Sequence, residues 1–511
     1  MRRDNLQLMS AARTGDVKAR WEIGRRYLLG INGFQRSVPT GIDYLTHQSV
    51  RHLSEAAIVI AENLTLHELI HFQQEDALQT AAKAGSVAAR LKLGIRLCTN
   101  PAQVPAGIRW FRMVAATGHG PAEVAAQAFA QPNYSSVLAA LEAMSASAGV
   151  DGLAVSLLGA REALRAQDMP QLELWLRIAA AFAPALTPEL AELVVGALRV
   201  AEAQSYAGLD LPPKLLEAAL AARMSKGDPY ATYTLGRALC GIACGAMLPA
   251  RLASALNMRK GVAALLRAGE AGCAEVWPLL HQLHAAHDTS VSNPHAALLY
   301  LEKAAAAGQA VSQRKLGALT LKAAATPEDT EKGIEMLHRA HAQNDPLATQ
   351  LLATLLLPVQ GTDDDARHAV ERLRRHNATL ASRIELARAF GLTRTEALTV
   401  NPVAGIRSWG LVVGPNPFSR QPALAASRAI PALAPEAMNV LRRSASFFSH
   451  GADPALQGDI RQRTRVLRAA FERLDLTESH FFAEAPTPVL NRLRCGSKWA
   501  FRARTQLRAA L

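Results

Sequence analysis

The chain has 511 residues, half of them apolar but only 5% aromatic, and a formal net charge of +13. Such a length exceeds one compact core and calls for several domains or a repeat array; Ala, Leu and Val supply most of the apolar content, which favours packed helices over a sandwich or barrel. No unbroken apolar run reaches the ~18 residues of a transmembrane helix, "MRRDNLQLMSAARTGD" has no signal-like apolar stretch, and five scattered cysteines form no disulfide framework, so a cytoplasmic protein is expected.

Residues 12 to 30 read Ala12-x-x-Gly15-x-x-x-Ala19-x-x-x-Ile23-Gly24-x-x-Tyr27-x-x-Gly30. Ala19 and Ile23 are four apart and share one helical face. Gly15 follows an Ala-rich helical segment, where a left-handed C-cap favours Gly. Gly24 falls inside the next helix, where it costs about 1 kcal/mol relative to Ala and therefore suggests close backbone packing. A second helix starts near Pro39 in "VPTGIDYL", the missing N–H being harmless in a first turn. "TLHELIHF" (65–72) follows, in a helix expected to run from about Asn63–Thr65 to Gly85.

The pattern then returns with Ala82, Gly85, Ala89, Leu93 and Gly94, followed by "VPAGIRWF" at Pro105. A partial copy begins at Ala115-Gly118-Ala122. Residues 125 to 225 are degenerate, although "MPQLELWL" at Pro170 reads as a second helix, so regular repeats and an irregular insert both stay open there. Gly227, Ala231, Leu235 and Gly236 form a clear copy. Cys240 and Cys244 are expected one turn apart on a helix as buried thiols, since no second Cys or His pair accompanies them for zinc. Another partial copy starts at Gly269-Gly272. "NPHAALLYLEKAAAAG" from Pro294 leads into Ala305, Gly308, Leu316 and Gly317, and a weaker copy uses Asn344, Ala348, Leu352 and Ala353.

Gly15 and Gly85 lie 70 residues apart, two units of 35, and Gly272, Gly308 and Asn344 follow at intervals of 36. A unit of that length holds two helices and two turns.

Past Gly410 the pattern stops. Pro415, Pro417, Pro422, Pro431 and Pro435 mark residues 411–436 as a linker or irregular wrap. Residues 437–511 are expected to form a basic helical module. From Pro415 to Leu511 there are fifteen Lys or Arg against seven Asp or Glu, a net +8. "DIRQRTRVLRAAFERLDL" places Ile460, Leu467, Ala470, Phe471 and Leu474 at helical spacing, with Arg461, Arg465, Arg468 and Arg473 around them. The end carries Arg492, Arg494, Lys498, Arg502, Arg504 and Arg508 without an acid. Phe447, Phe448, Phe471, Trp499 and Phe501 add aromatic surface to a module that could meet nucleic acid or an anionic surface. The plainer reading, a terminal helix that caps the array, is preferred, and nucleic-acid binding is not favoured. In "CGSKW", Lys498 could lower the pKa of Cys495, but no base candidate accompanies them.

The pattern A-x-x-G-x-x-x-A-x-x-x-L-G-x-x-Y-x-x-G, followed by a second helix ending A-A-x-x-G, resembles the Sel1-like repeat, a relative of the tetratricopeptide repeat. The resemblance covers much of residues 11–410. It implies an all-α, right-handed α-solenoid of stacked helix pairs, acting as a scaffold or adaptor for protein partners, with no catalytic residues and no cofactor to carry over. The expected layout is a repeat solenoid over 1–410, the linker, and the basic module.

One motif points to different chemistry. His67-Glu68-x-x-His71 has the spacing of a zinc peptidase helix: two imidazoles one turn apart grip the metal and the Glu serves as base for its water. A zinc-dependent hydrolase would need a third protein ligand, and Gln74 and Ala77 occupy the positions where the extended motif has Gly and His. Against it stands a purely structural reading. Thr65 and Glu68 have the spacing of a capping box, and no period-2 strands lie nearby. The structural reading is preferred, leaving a binding protein without catalytic or metal sites, and zinc only under the alternative.

Overall fold

A computed structural model of the chain describes residues 3–148, 150–206, 209–245, 247–414, 427–450, 458–494 and 503–511. The chain divides at Cys273/Ala274 into two compact units. That boundary falls in a loop between repeats rather than near residue 410, where the sequence pattern stops.

Unit one stacks helix pairs. Val17–Leu29 packs on Val38–Leu45, Val87–Cys98 on Val104–Ala115, and Pro229–Leu239 on Met258–Glu270. The degenerate stretch continues the same scheme, with Gly120–Ala130 on Tyr134–Ala148, Gly152–Ala166 on Met169–Phe182, and Pro188–Ala203 on Pro213–Ser225. Regular pairs therefore run through residues 125–225, although their glycines are mostly gone.

The glycines inside the helices are sites of close approach. A Cβ on Gly94 would lie 2.6 Å from the Phe111 ring, one on Gly159 2.4 Å from Trp175, and one on Gly24 2.7 Å from Leu45. Each first helix thus receives a large side chain of its partner. The loop positions are a separate matter: Gly15, Gly85 and Gly308 have φ of +102°, +105° and +90°, and Asn344 takes the same left-handed region at +64°. Asn is the residue other than Gly that visits this region most readily.

A further recurrent device had no sequence signal. Five residues past the loop glycine, a side chain reaches back to the end of the preceding helix. Arg20 donates to the Ala12 carbonyl, Arg90 to Ala82 and Gln313 to Ala305, at 2.9, 2.9 and 3.2 Å. These bonds satisfy carbonyls that a helix end leaves open.

Cys240 and Cys244 are buried, as expected, but not on a helix: Pro229–Leu239 ends before them, Cys240 is its C-cap, and Cys244 bridges Met247. Burial pushes both thiols up to about 11.

Unit two begins with the pairs Val276–Ala285 with Pro294–Ala306 and Ala310–Ala323 with Pro327–Ala342. Beyond them the all-helical expectation is interrupted by a three-stranded antiparallel sheet: β1 (Ile406–Arg407), β2 (Gly410–Val413) and β3 (Arg428–Pro431), with Leu411 opposite Ile430. The ends of the expected linker are therefore buried strands; its Pro415, Pro417 and Pro422 lie outside the described residues. Nor do the described tail residues stand apart. Leu441, Leu467, Phe471 and Phe481 share one core with Leu380, Ile384 and Phe390. Arg428 is fully buried and pairs with Glu396 at 2.9 Å, while Glu396 closes the capping box of Thr393. Cys495, Lys498, Trp499 and Phe501 lie outside the described residues.

Candidate functional site

The HELIH stretch folds as a separate short helix, Leu66–His71. Thr65 and Glu68 form the complete capping box: the Thr65 N–H donates to the Glu68 carboxylate at 2.8 Å, and the Glu68 N–H donates to the Thr65 hydroxyl at 3.1 Å. The helix does not continue to Gly85 as expected. Gln73 enters the left-handed region at φ +55°, the Gln74 N–H donates to the Leu69 carbonyl at 2.7 Å, and a new helix runs Glu75–Lys83. Two apolar residues, Leu66 and Leu69, pin the short helix into the core of unit one. No periodicity argument reveals this break, because Gln73 stands where Gly is usual.

Glu68 also pairs with Arg36 at 3.0 Å. Partial burial pulls its carboxyl upward, but the Thr65 hydrogen bonds and Arg36 outweigh burial and hold it below the ordinary value. Its oxygens are thus occupied by a cap and an ion pair. His67 and His71 are exposed, with rings nearly parallel (13°) and centroids 6.3 Å apart. Among the described residues no group of three or more His, Cys, Asp or Glu is placed to hold a metal ion.

Behind this helix, Lys92 is 4% exposed and donates to the carbonyls of Ala61 and Leu64, both at 2.8 Å, and of Glu62 at 3.2 Å. The ammonium closes the end of Ser54–Asn63, the helix that leads into HELIH. Burial lowers its pKa, opposed by Glu62 and Glu68. Nothing in "RLKLG" marks this lysine as interior.

The short helix faces a cavity of about 640 Å³ within unit one. Leu66, Ile70, Leu153, Leu157 and Leu158 line its apolar part, and His67, His71, Asp151, Thr187 and the Arg161–Glu189 ion pair its polar part. Asp151 and Thr187 are N-caps of Gly152–Ala166 and Pro188–Ala203, so their side chains already accept backbone N–H bonds. A neighbouring hollow shares Ile70, Leu158 and Arg161, extending the groove towards Arg96 and Arg165. The result is a mainly apolar recess with an ionic border. Sequence reasoning found its histidines but not Leu153, Leu158 or Arg161, which lie some 90 residues away in the degenerate repeats.

No helix among the described residues is long and apolar enough to cross a membrane. No family model and no curated protein matches the sequence. Among solved structures, a protective antigen of uropathogenic Escherichia coli displaying an SLR fold is similar at 17% identity, over 98% of this chain and 97% of that one, with a TM-score of 0.31. A Sel1 repeat protein from Oxalobacter formigenes is similar at 17% identity, over 68% and 89% of the two chains, with a TM-score of 0.25. In its repeat pattern and its stacked helix pairs, the chain resembles the Sel1-like repeat proteins.

Proposed function

We propose that the protein is a helical-repeat scaffold for protein partners and not an enzyme, acting in the cytoplasm. The observation that carries this reading is the groove beside Leu66–His71. Half-buried Ile70, Leu153 and Leu158 line an open recess with charged groups at its border, the make-up of an interface centre with a polar rim. Stacked helix pairs hold such a surface rigid while its exposed side chains vary independently of the core. The carboxylate that a zinc hydrolase would use as base is instead committed to the cap and to Arg36.

The test is retention of partners by the full chain and by Ile70→Glu/Leu158→Glu. Proteins held at stoichiometric level by the wild type and lost by the variant, with thermal unfolding unchanged, support the groove. Equal retention by both, or none by either, contradicts it.

A further inference from the structure

The helix Ile460–Leu474 carries five arginines and one acid, Glu472. Its apolar side is spent: Leu467, Phe471 and Leu474 are buried in unit two. Arg463 is spent as well, donating to the Leu398 carbonyl at 2.7 Å. Arg461, Arg465 and Arg468 remain exposed on one face, at i, i+4 and i+7, within about 10 Å of helix length.

Among the described residues, the arginines of this unit divide between unpaired ones, Arg375, Arg442 and Arg473 included, and paired ones. Arg314, Arg339, Arg374, Arg388, Arg394 and Arg407 each have a carboxylate within 4.0 Å. Arg461, Arg465 and Arg468 have no ion pair among the described residues. Glu472 continues the strip at its C-terminal end, also without an ion pair among the described residues, and Asp459 is engaged as N-cap to the Gln462 N–H at 2.7 Å.

We propose that this arginine strip binds the phosphate backbone of a nucleic acid. Three guanidinia in line match a linear array of phosphates, each offering a forked donor to an anionic oxygen. An anionic membrane fits less well: an interfacial helix sinks an apolar face into the bilayer, and this one is already packed inside the protein, leaving Val466 (41% exposed) as the large apolar side chain on the outer surface of the helix. Among the described residues no base-reading element accompanies the strip, so the binding is to backbone and not to sequence.

The experiment is fluorescence anisotropy of a labelled 20-nucleotide duplex DNA and a single-stranded RNA of equal length. Each is titrated with the full chain, with Arg461→Gln/Arg465→Gln/Arg468→Gln, and with Arg339→Gln, a paired arginine elsewhere in the unit. Neutralising three duplex phosphates contributes about 2.7 to the slope of log affinity against log salt, or about 40-fold between 50 and 200 mM. We expect the triple variant to lose that share of slope and at least tenfold in affinity at 50 mM, with its melting temperature unchanged and Arg339→Gln like wild type. The proposal is overturned by no binding of either probe by the wild type, by equal losses in the triple variant and Arg339→Gln, or by an unchanged slope. Wild-type binding to phosphatidylserine vesicles or polyglutamate in preference to both oligonucleotides also overturns it.

Discussion

At the scale of single residues, small size in one helix and large size in its partner are two halves of one device. Gly159 receives the Trp175 ring so closely that an added Cβ would stand 2.4 Å from it. Overpacking a core typically costs 1–3 kcal/mol, and a buried indole has little room to retreat. Gly159→Ala should therefore lower stability by about 1–3 kcal/mol in denaturant unfolding; an unchanged midpoint would show that the pair relaxes freely. Asp228 does several tasks at once. It caps Pro229–Leu239, accepting from the Tyr230 and Ala231 N–H groups at 3.1 and 3.2 Å, and pairs with Arg199 at 2.7 Å and Arg223 at 3.3 Å. Burial pulls its carboxyl upward, but the Ala231 N–H and the two guanidinia outweigh burial and depress it. A depressed folded-state pKa contributes stability that is present above the unfolded value near 3.9 and is lost as pH falls through the folded value. Asp228→Asn should lower stability at pH 7 and flatten the acid limb of the stability–pH curve below about pH 4. An acid limb identical to wild type would rule out that coupling.

At the scale of elements, the sequence showed pairs wherever Gly, Ala and Leu recur, and failed where other residues meet the same geometric demand. Leu172 and Trp175 keep Met169–Phe182 in the pairing scheme without the glycine of "VPAGIRWF". The helix break at Gln73 was hidden because glutamine does not announce a left-handed turn. Strands β2 and β3 were hidden because they are four residues each and bracket a proline-rich stretch. Long helices repeat their signal over several turns, whereas so short a strand pair is held by what covers it. Here the cover includes a buried ion pair, Arg428 with Glu396, that joins β3 to Arg394–Thr399. Removing one partner of such a pair strands the other charge, at a cost of about 3–5 kcal/mol. Glu396→Ala should therefore destabilise by about that amount in chemical unfolding. A loss below 1 kcal/mol would mean that the Gly391 and Leu355 carbonyls, to which Arg428 also donates, suffice for the guanidinium and that the pair does not hold the sheet.

At the scale of the whole molecule, composition and repeat period point to the architecture, while the proposed site depends on what the repeats bring together. The HELIH letters suggested metal chemistry because their spacing is right for it. In the fold, Thr65 and Arg36 engage the glutamate, and the histidines border a groove whose far wall is Leu153 to Arg161. That wall was illegible in sequence: its residues are ordinary helix formers in the least regular repeats. The expected division into solenoid, linker and basic module likewise depended on where the repeat pattern fades. Hydrophobic residues of the tail instead complete the core of residues 274–511.

The proposed scaffold role depends on a protein partner sitting in the groove beside Leu66–His71. Its most direct test is a photo-crosslinking amino acid placed at Leu158, compared with the same residue at Val124, an exposed position elsewhere in unit one. A discrete partner adduct is expected from position 158, absent from 124 and abolished by Ile70→Glu. An adduct from 124 alone, or one from 158 that persists with Ile70→Glu, would contradict it.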